Sequence, residues 1–157
     1  MPKEKTKNDT PGSTGRRKPL TTQEKRDLGV ENQFLKGLVE RDPDYIDAWQ
    51  ALGDNYTLLG RNRAGLRVDL RLAELLPEDP SAQFNLACSL AMNKKYDEAV
   101  ERLHLALDLY YPNLHWFARD PELKELRKLP IYDSIRKRLK TLRLKVKAIQ
   151  EQSPKDN

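Results

Sequence analysis

The chain has 157 residues, 38% of them hydrophobic and 34% charged, which suits one compact domain with polar segments at its ends. Its single cysteine, Cys88, excludes an internal disulfide and fits a reducing compartment. No apolar run approaches the ~20 residues of a membrane-spanning helix, and residues 1–20 lack the apolar core of a signal peptide, so the expected location is cytoplasmic.

The net charge of +5 is distributed unevenly along the chain. Residues 1–20 carry six basic and two acidic side chains, residues 21–121 carry 12 and 17, and residues 122–147 carry ten and three. An acidic middle therefore lies between two basic ends. Such ends are usually solvated surfaces, but they could also bind nucleic acid, a ribosome or an anionic membrane.

The first 20 residues are rich in proline, glycine and basic side chains, and they should form a disordered tail because they offer little apolar surface for folding. A first helix is expected over residues 22–41. It should end at Pro43, because proline disfavours the helical conformation in the residue before it. The expected buried stripe of this helix is Leu28, Phe34, Leu35, Leu38 and Val39.

A second helix is expected over residues 45–58, and Gly60 should end it in the left-handed conformation that glycine adopts at little cost. Its inward residues should be Tyr45, Ala48, Trp49, Leu52 and Tyr56. A third helix is expected over residues 62–76, although apolar and charged residues alternate there as in a strand. Helix is favoured because the run contains no turn signal and three apolar residues also align at helical spacing: Leu66, Leu70 and Ala73.

Asp79 and Pro80 have the form of a helix start, with a capping side chain followed by a proline in the first turn. A fourth helix is therefore expected over residues 80–92, and a fifth over residues 96–109. The triplet beginning at Asp120 has the same form.

The last expected helix runs from Pro130 to about residue 150. Its apolar residues, spaced by four and three, are Ile135, Leu139, Leu142, Val146 and Ile149. This pattern spans about two heptads, fewer than a coiled coil needs. The helix is interpreted first as a cap on the domain and alternatively as a homodimer seam.

An internal repeat of 34 residues links the second and fourth helices. The motif Trp49, Leu52, Gly53 and Tyr56 returns as Gln83, Leu86, Ala87 and Leu90. The second copy continues through Tyr96-Asp97-Glu98-Ala99 and Leu103 to Ala106. Such a period indicates stacked helix hairpins, each of which buries its apolar face against its neighbours. Small residues are expected where helices cross, at Gly53, Ala87, Ala99 and Ala106.

These motifs resemble the tetratricopeptide repeat (TPR) family over residues 42–139. The resemblance implies an all-α, right-handed α-α superhelix of TPR helix hairpins with capping helices at both ends. Its parts would be one domain over residues 21–151 (a cap at 22–41, repeats at 46–79 and 80–113, C-terminal helices at 114–151) and a tail at 152–157. The first repeat departs from the family at Gly65 and Asp69, where an alanine and a bulky apolar residue are usual.

The sequence gives little indication of catalysis. Neither His104 nor His115 has a carboxylate or thiol partner at ligand spacing, so no metal site is expected. No phosphate-binding loop or catalytic motif is present, and Cys88 is interpreted as a small packing residue. No cofactor and no enzymatic activity are expected.

The TPR resemblance implies a concave groove, lined by the first helix of each unit, that binds a protein or peptide partner. Phe84 and Met92 would offer an apolar anchor there, although Phe84 and Cys88 could instead pack between helices. The residues that the resemblance assigns to this groove are Asp47, Gln50, Asp54, Thr57, Leu58, Ser81, Phe84, Asn85, Cys88 and Met92.

Some TPR proteins hold acidic chaperone tails through a carboxylate clamp, and Asn85 matches one clamp position. Gln50 and Asp54 do not match, and Asp54 would repel a terminal carboxylate. A basic or mixed peptide is therefore expected instead.

The leading hypothesis is a non-catalytic adaptor. The alternatives are a nucleic-acid- or ribosome-associated protein held by its basic ends, and a small TPR chaperone. No aromatic residue follows Tyr132, so the basic C-terminal surface lacks a stacking platform for bases. That surface consists of Arg136, Lys137, Arg138, Lys140, Arg143, Lys145 and Lys147.

Overall fold

The computed structural model describes residues 18–152, and the predictions for residues 1–17 and 153–157 lie outside it. The described part is an all-α fold, with no strand between residues 18 and 152. Two 3-10 helices, Pro121–Leu123 and Pro130–Tyr132, lie near its C-terminal end. The α-helices are α1 (Thr22–Arg41), α2 (Ile46–Leu58), α3 (Asn62–Leu75), α4 (Pro80–Met92), α5 (Tyr96–Asp108), α6 (His115–Arg119), α7 (Lys124–Arg127) and α8 (Asp133–Gln152).

The predicted helices α1 to α5 are confirmed to within a residue at each end. Helix α1 packs on α2, the α2–α3 and α4–α5 pairs form hairpins, and α3 joins the two hairpins by packing on α4. Because α3 contacts helices on two sides, its buried residues cover a wide arc that includes Leu66, Val68 and Leu72. This position explains the alternating pattern that resembles a strand.

Three helix ends share one left-handed turn. Gly60, Lys94 and Tyr110 have φ angles of 66°, 61° and 62°, so the predicted role of Gly60 is confirmed. In each turn the backbone N–H of the following residue donates a hydrogen bond to a carbonyl in the last turn of the helix. Arg61, for example, donates to the carbonyl of Tyr56 at 2.9 Å. Gly60 and Lys94 are 34 residues apart, so the repeat includes the turn geometry.

Small side chains permit the close approach of helices. Ala87, Ala99 and Ala106 are fully buried. A Cβ atom added at Gly53 would lie 3.3 Å from Cγ1 of Val68, which is tighter than an ordinary contact. The predicted helix crossing at Gly53 is therefore supported by the geometry, and α2 could approach α3 less closely with a larger residue there.

Two residues of the buried sets predicted for the first two helices are exposed. Phe34 is 66% exposed on α1, and Tyr45 is exposed just before α2. Phe34 precedes Val68 by 34 residues, so the two occupy equivalent positions in the repeat. Val68 on α3 packs against α2, the preceding helix of its hairpin. The described residues contain no helix before α1 that could cover Phe34 in the same way, so Phe34 is exposed. The buried residue of α1 that the apolar pattern missed is Asn32, which is hydrogen-bonded to Asn55.

The apolar residues of helix α8 are buried in its first half and exposed in its second half. Ile135 and Leu139 belong to the hydrophobic core, and Leu142 packs partly against it. Val146 and Ile149 continue the same stripe but are exposed. The first half of α8 therefore closes the domain, as predicted, while the dimer seam stays a prediction. None of the helices among the described residues is long and apolar enough to cross a membrane.

Candidate functional site

One surface of α2 carries five of the ten residues that the TPR resemblance assigns to a groove. Asp47, Asp54, Thr57 and Leu58 are exposed, and Gln50 is half-buried. Their spacing of three and four residues places them along one side of the helix. This surface, called here the α2 face, is largely exposed to solvent.

A small cleft of about 60 Å³ adjoins the α2 face and reaches to α4. It brings together Gln50, Ser81 and Asn85, three predicted groove residues from the two repeat units. Asp69 was not among the predicted groove residues, although it is one of the two departures from the TPR pattern in the first repeat. The lining of this α2–α4 cleft consists of Gln50, Asp69, Leu72, Leu76, Asp79, Ser81, Ala82 and Asn85.

Asp69 is the most electrostatically perturbed side chain of the cleft. Its carboxylate accepts a hydrogen bond from the hydroxyl of Ser89 on α4, and no cationic side chain among residues 18–152 pairs with it. Burial raises the pKa of Asp69 to about 6, the Ser89 hydrogen bond partly offsets this rise, and the nearby charge of Asp54 adds to it. The cleft thus contains a desolvated negative charge at neutral pH.

Burial of Phe84 and Cys88 confirms the alternative in which they pack between helices and excludes their assignment to an exposed groove. Phe84 is 1% exposed and Cys88 is 3% exposed, because the chain beyond α5 folds over α4. The Phe84 ring stacks on Tyr111 at 4.5 Å between centroids and meets the edge of Phe117 at 5.1 Å. Phe84 is therefore a core residue and cannot anchor a peptide. Among the α4 groove residues, Ser81 and Met92 remain exposed and Asn85 half-buried.

Cys88 has two carboxyl neighbours that sequence spacing did not reveal. The Cys88 thiol and the carboxyl groups of Asp120 and Glu122 all lie within 4.8 Å of one another. Asp120 caps the 3-10 helix by accepting a hydrogen bond from the backbone of Glu122 at 2.9 Å. Burial raises the pKa of Cys88 well above its ordinary value, and Asp120 and Glu122 add to this, so the side chain is a thiol rather than a reactive thiolate.

The predicted basic surface of α8 is not uniform. Arg136 pairs with Asp133 at 2.5 Å and covers the Tyr132 ring, and Arg138 pairs with Asp108 on α5. Lys147 lies 3.9 Å from Glu151. Within the described part of the chain, the four remaining basic residues form no ion pair: Lys137, Lys140, Arg143 and Lys145.

Comparison with known proteins identified one relative of part of the chain. A 65-residue segment is 35% identical to a peroxisomal targeting signal receptor of Candida albicans. The match covers 41% of this chain and only 11% of that receptor. No family model matches the chain. The partial similarity and the stacked helix hairpins are compatible with a TPR-type, protein-binding repeat.

Proposed function

We propose that this chain is a non-catalytic TPR-type adaptor that binds a segment of another protein on the α2 face and in the α2–α4 cleft. Three findings support this proposal. The fold consists of stacked helix hairpins with a 34-residue register, the relative of part of the chain is a receptor by name, and the polar side of α2 is open to solvent.

The charge of the site indicates the chemistry of the partner. Asp47 and Asp54 are exposed on the α2 face, and Asp69 is held in the cleft beside them. A lysine or arginine of the partner that reaches Asp69 would form a charge-assisted hydrogen bond, which contributes about 1.5–3 kcal/mol. It would also stabilise the charged form of Asp69, which burial disfavours. The desolvated carboxylate of Asp69 is the single observation on which the proposal depends most.

The segment most suited to this site is extended or helical, with one cationic side chain for the cleft. The cleft is small, at about 60 Å³, so it admits a single side chain rather than a folded surface. Leu58 at the end of α2 adds an exposed apolar contact. The flanking acids would guide a basic segment to the site and repel an acidic one.

A peptide library that varies lysine, arginine, glutamate and alanine at each position tests this function. The intact chain should enrich peptides with a lysine or arginine, and Asp54→Lys should abolish that enrichment. Glu101→Lys is the matched control, because Glu101 is exposed on α5 and its replacement by lysine changes the net charge by the same amount as Asp54→Lys. An Asp54→Lys variant that folds normally and retains the same peptide preference would refute the proposed site.

A further inference from the structure

A second cavity, of about 440 Å³, opens between α5 and α8, apart from the α2–α4 cleft. We call it the α5–α8 groove. Its lining combines cationic, hydroxyl and imidazole groups with the apolar side chain of Leu142 and includes no carboxylate. Its lining residues are His104, Ser134, Lys137, Arg138, Thr141, Leu142 and Lys145.

Two lysines supply positive charge that nothing in the described chain neutralises. Lys137 and Lys145 form no ion pair there, whereas the guanidinium of Arg138 pairs with Asp108 at the edge of the groove. Lys137, Thr141 and Lys145 follow one another at intervals of four residues and so lie along one strip of α8. The Cα atoms of the two lysines are separated by a rise of about 12 Å along the helix axis, with Thr141 midway between them.

The hydrogen bonds of His104 at the wall of the groove favour the neutral form of its imidazole. The Ser134 hydroxyl donates to the carbonyl of Ile131 at 3.2 Å, so its oxygen accepts from Nε2–H of His104 at 3.1 Å. The other ring nitrogen, Nδ1, lies 3.3 Å from the Arg138 guanidinium and accepts from it. Burial lowers the pKa of His104, Arg138 lowers it further, and Asp108 opposes this change.

We propose that the α5–α8 groove is a binding site for a small phosphorylated anion with at least two phosphate groups. Lys137 and Lys145 hold the phosphates from the two ends of the strip, and Leu142 contacts the less polar part of the ligand. A ligand with several negative charges fits two unpaired ammonium groups better than a single carboxylate does. The lining contains no phenylalanine, tyrosine or tryptophan, so a nucleic-acid base would find no large aromatic surface on which to stack beside the His104 ring.

Pyrophosphate is the probe for this proposal, and the two histidines of the chain report on its binding. The ring resonances of His104 and His115 are followed by NMR against pH, with and without pyrophosphate. An anion in the groove partly cancels the positive field at His104, so the His104 pKa should rise with a saturable dependence on pyrophosphate. His115 lies outside the groove, so its ring resonances should not respond to pyrophosphate.

Two double variants on the same helix separate the groove from the general charge of α8. Lys137→Gln with Lys145→Gln removes the proposed ligands and should weaken pyrophosphate binding about tenfold or more. Lys140→Gln with Lys147→Gln removes the same charge outside the groove and should leave the affinity unchanged. Glutamine preserves helix propensity, so both variants should keep the circular dichroism spectrum and melting temperature of the parent chain.

Three results would overturn the proposal. One is an unchanged His104 pKa at saturating pyrophosphate, and a second is an equal loss of binding in the two double variants. The third is an RNA oligonucleotide that binds while pyrophosphate does not, which would assign the basic residues to an extended nucleic-acid surface. Because the groove and the α2–α4 cleft share no residue, failure of this test would leave the adaptor function unaffected.

Discussion

The side-chain amide of Asn55 on α2 donates a buried hydrogen bond of 2.9 Å to Oδ1 of Asn32 on α1. Both side chains are largely removed from solvent, so each needs the other to satisfy its polar atoms. This bond connects the first helix to the repeat units and fixes the register between α1 and α2.

Asn32→Ala should therefore destabilise the fold by about 1–3 kcal/mol, because it leaves the amide of Asn55 buried without an acceptor. Replacing both asparagines by leucine should cost less than the sum of the two single leucine substitutions. Urea denaturation of the three leucine variants gives this coupling energy as a double-mutant cycle. Strictly additive effects would show that the two side chains do not depend on each other.

Phe84→Ala should lower the free energy of unfolding by about 3–5 kcal/mol, because it removes a fully buried ring from a cluster with Tyr111 and Phe117. Met92→Ala serves as the comparison, since Met92 is exposed on the same helix and should change stability by less than about 0.5 kcal/mol. Chemical denaturation measures both. A stable, fully folded Phe84→Ala variant would contradict the core role of this ring.

Glycine should stabilise the two left-handed turns that now contain other residues. At φ angles of 61° and 62°, Lys94 and Tyr110 are strained by their Cβ atoms, so Lys94→Gly and Tyr110→Gly should each add about 0.5–1 kcal/mol. Lys95→Gly is the adjacent control, because Lys95 has φ of −90° and gains nothing from glycine. A melting temperature that rises as much for Lys95→Gly as for Lys94→Gly would rule out relief of turn strain as the cause.

The buried carboxyl groups should make stability fall as pH rises. Burial raises the pKa of Asp69 to about 6 and that of Glu122 to about 7. In the unfolded chain both carboxyl groups lose their protons near pH 4. The stability that comes from binding these protons in the folded state is therefore fully present below about pH 4. It is lost as pH rises through about 6 for Asp69 and about 7 for Glu122. Asp69→Asn and Glu122→Gln should each stabilise the fold at pH 8, on the order of 1–3 kcal/mol, and change it little at pH 4. Urea denaturation at both pH values measures this, and an equal gain at both would contradict it.

Binding of a lysine-bearing peptide should show the opposite pH dependence. Asp69 faces Asp54 and Ser89, and below about pH 6 it becomes protonated and loses its attraction for a cation. Affinity should therefore decrease about fivefold between pH 7.5 and pH 5.5, whereas Asp69→Asn should bind weakly at both. Fluorescence titration of a labelled peptide from the library measures this. A pH-independent affinity in the parent chain would remove Asp69 from the binding site.

Much of the fold could be predicted because its signals are local. Helix ends are marked by residues that act within a few positions, such as Asp79, whose side chain accepts from the backbone of Ser81 at 2.8 Å. Helix α3 was predicted correctly despite its alternating pattern, because its run of residues contains no turn signal and Leu66, Leu70 and Ala73 align at helical spacing. The candidate residues on α2 were named from the TPR resemblance instead, and their exposure agrees with their position along one side of the helix.

The helices, their limits and the hairpin pairing follow from the amino-acid sequence, because capping groups, turns and repeat spacing act over a few residues or at a fixed period. Which helix faces are covered depends on the packing of distant segments. Phe84 and Cys88 are buried because the segment around Tyr111 and Leu123, which lacks a clear repeat motif, folds across α4. Asp69 acquires its raised pKa from the same kind of distant packing. Burial depends on contacts between segments far apart in the chain, and a local pattern does not specify those contacts.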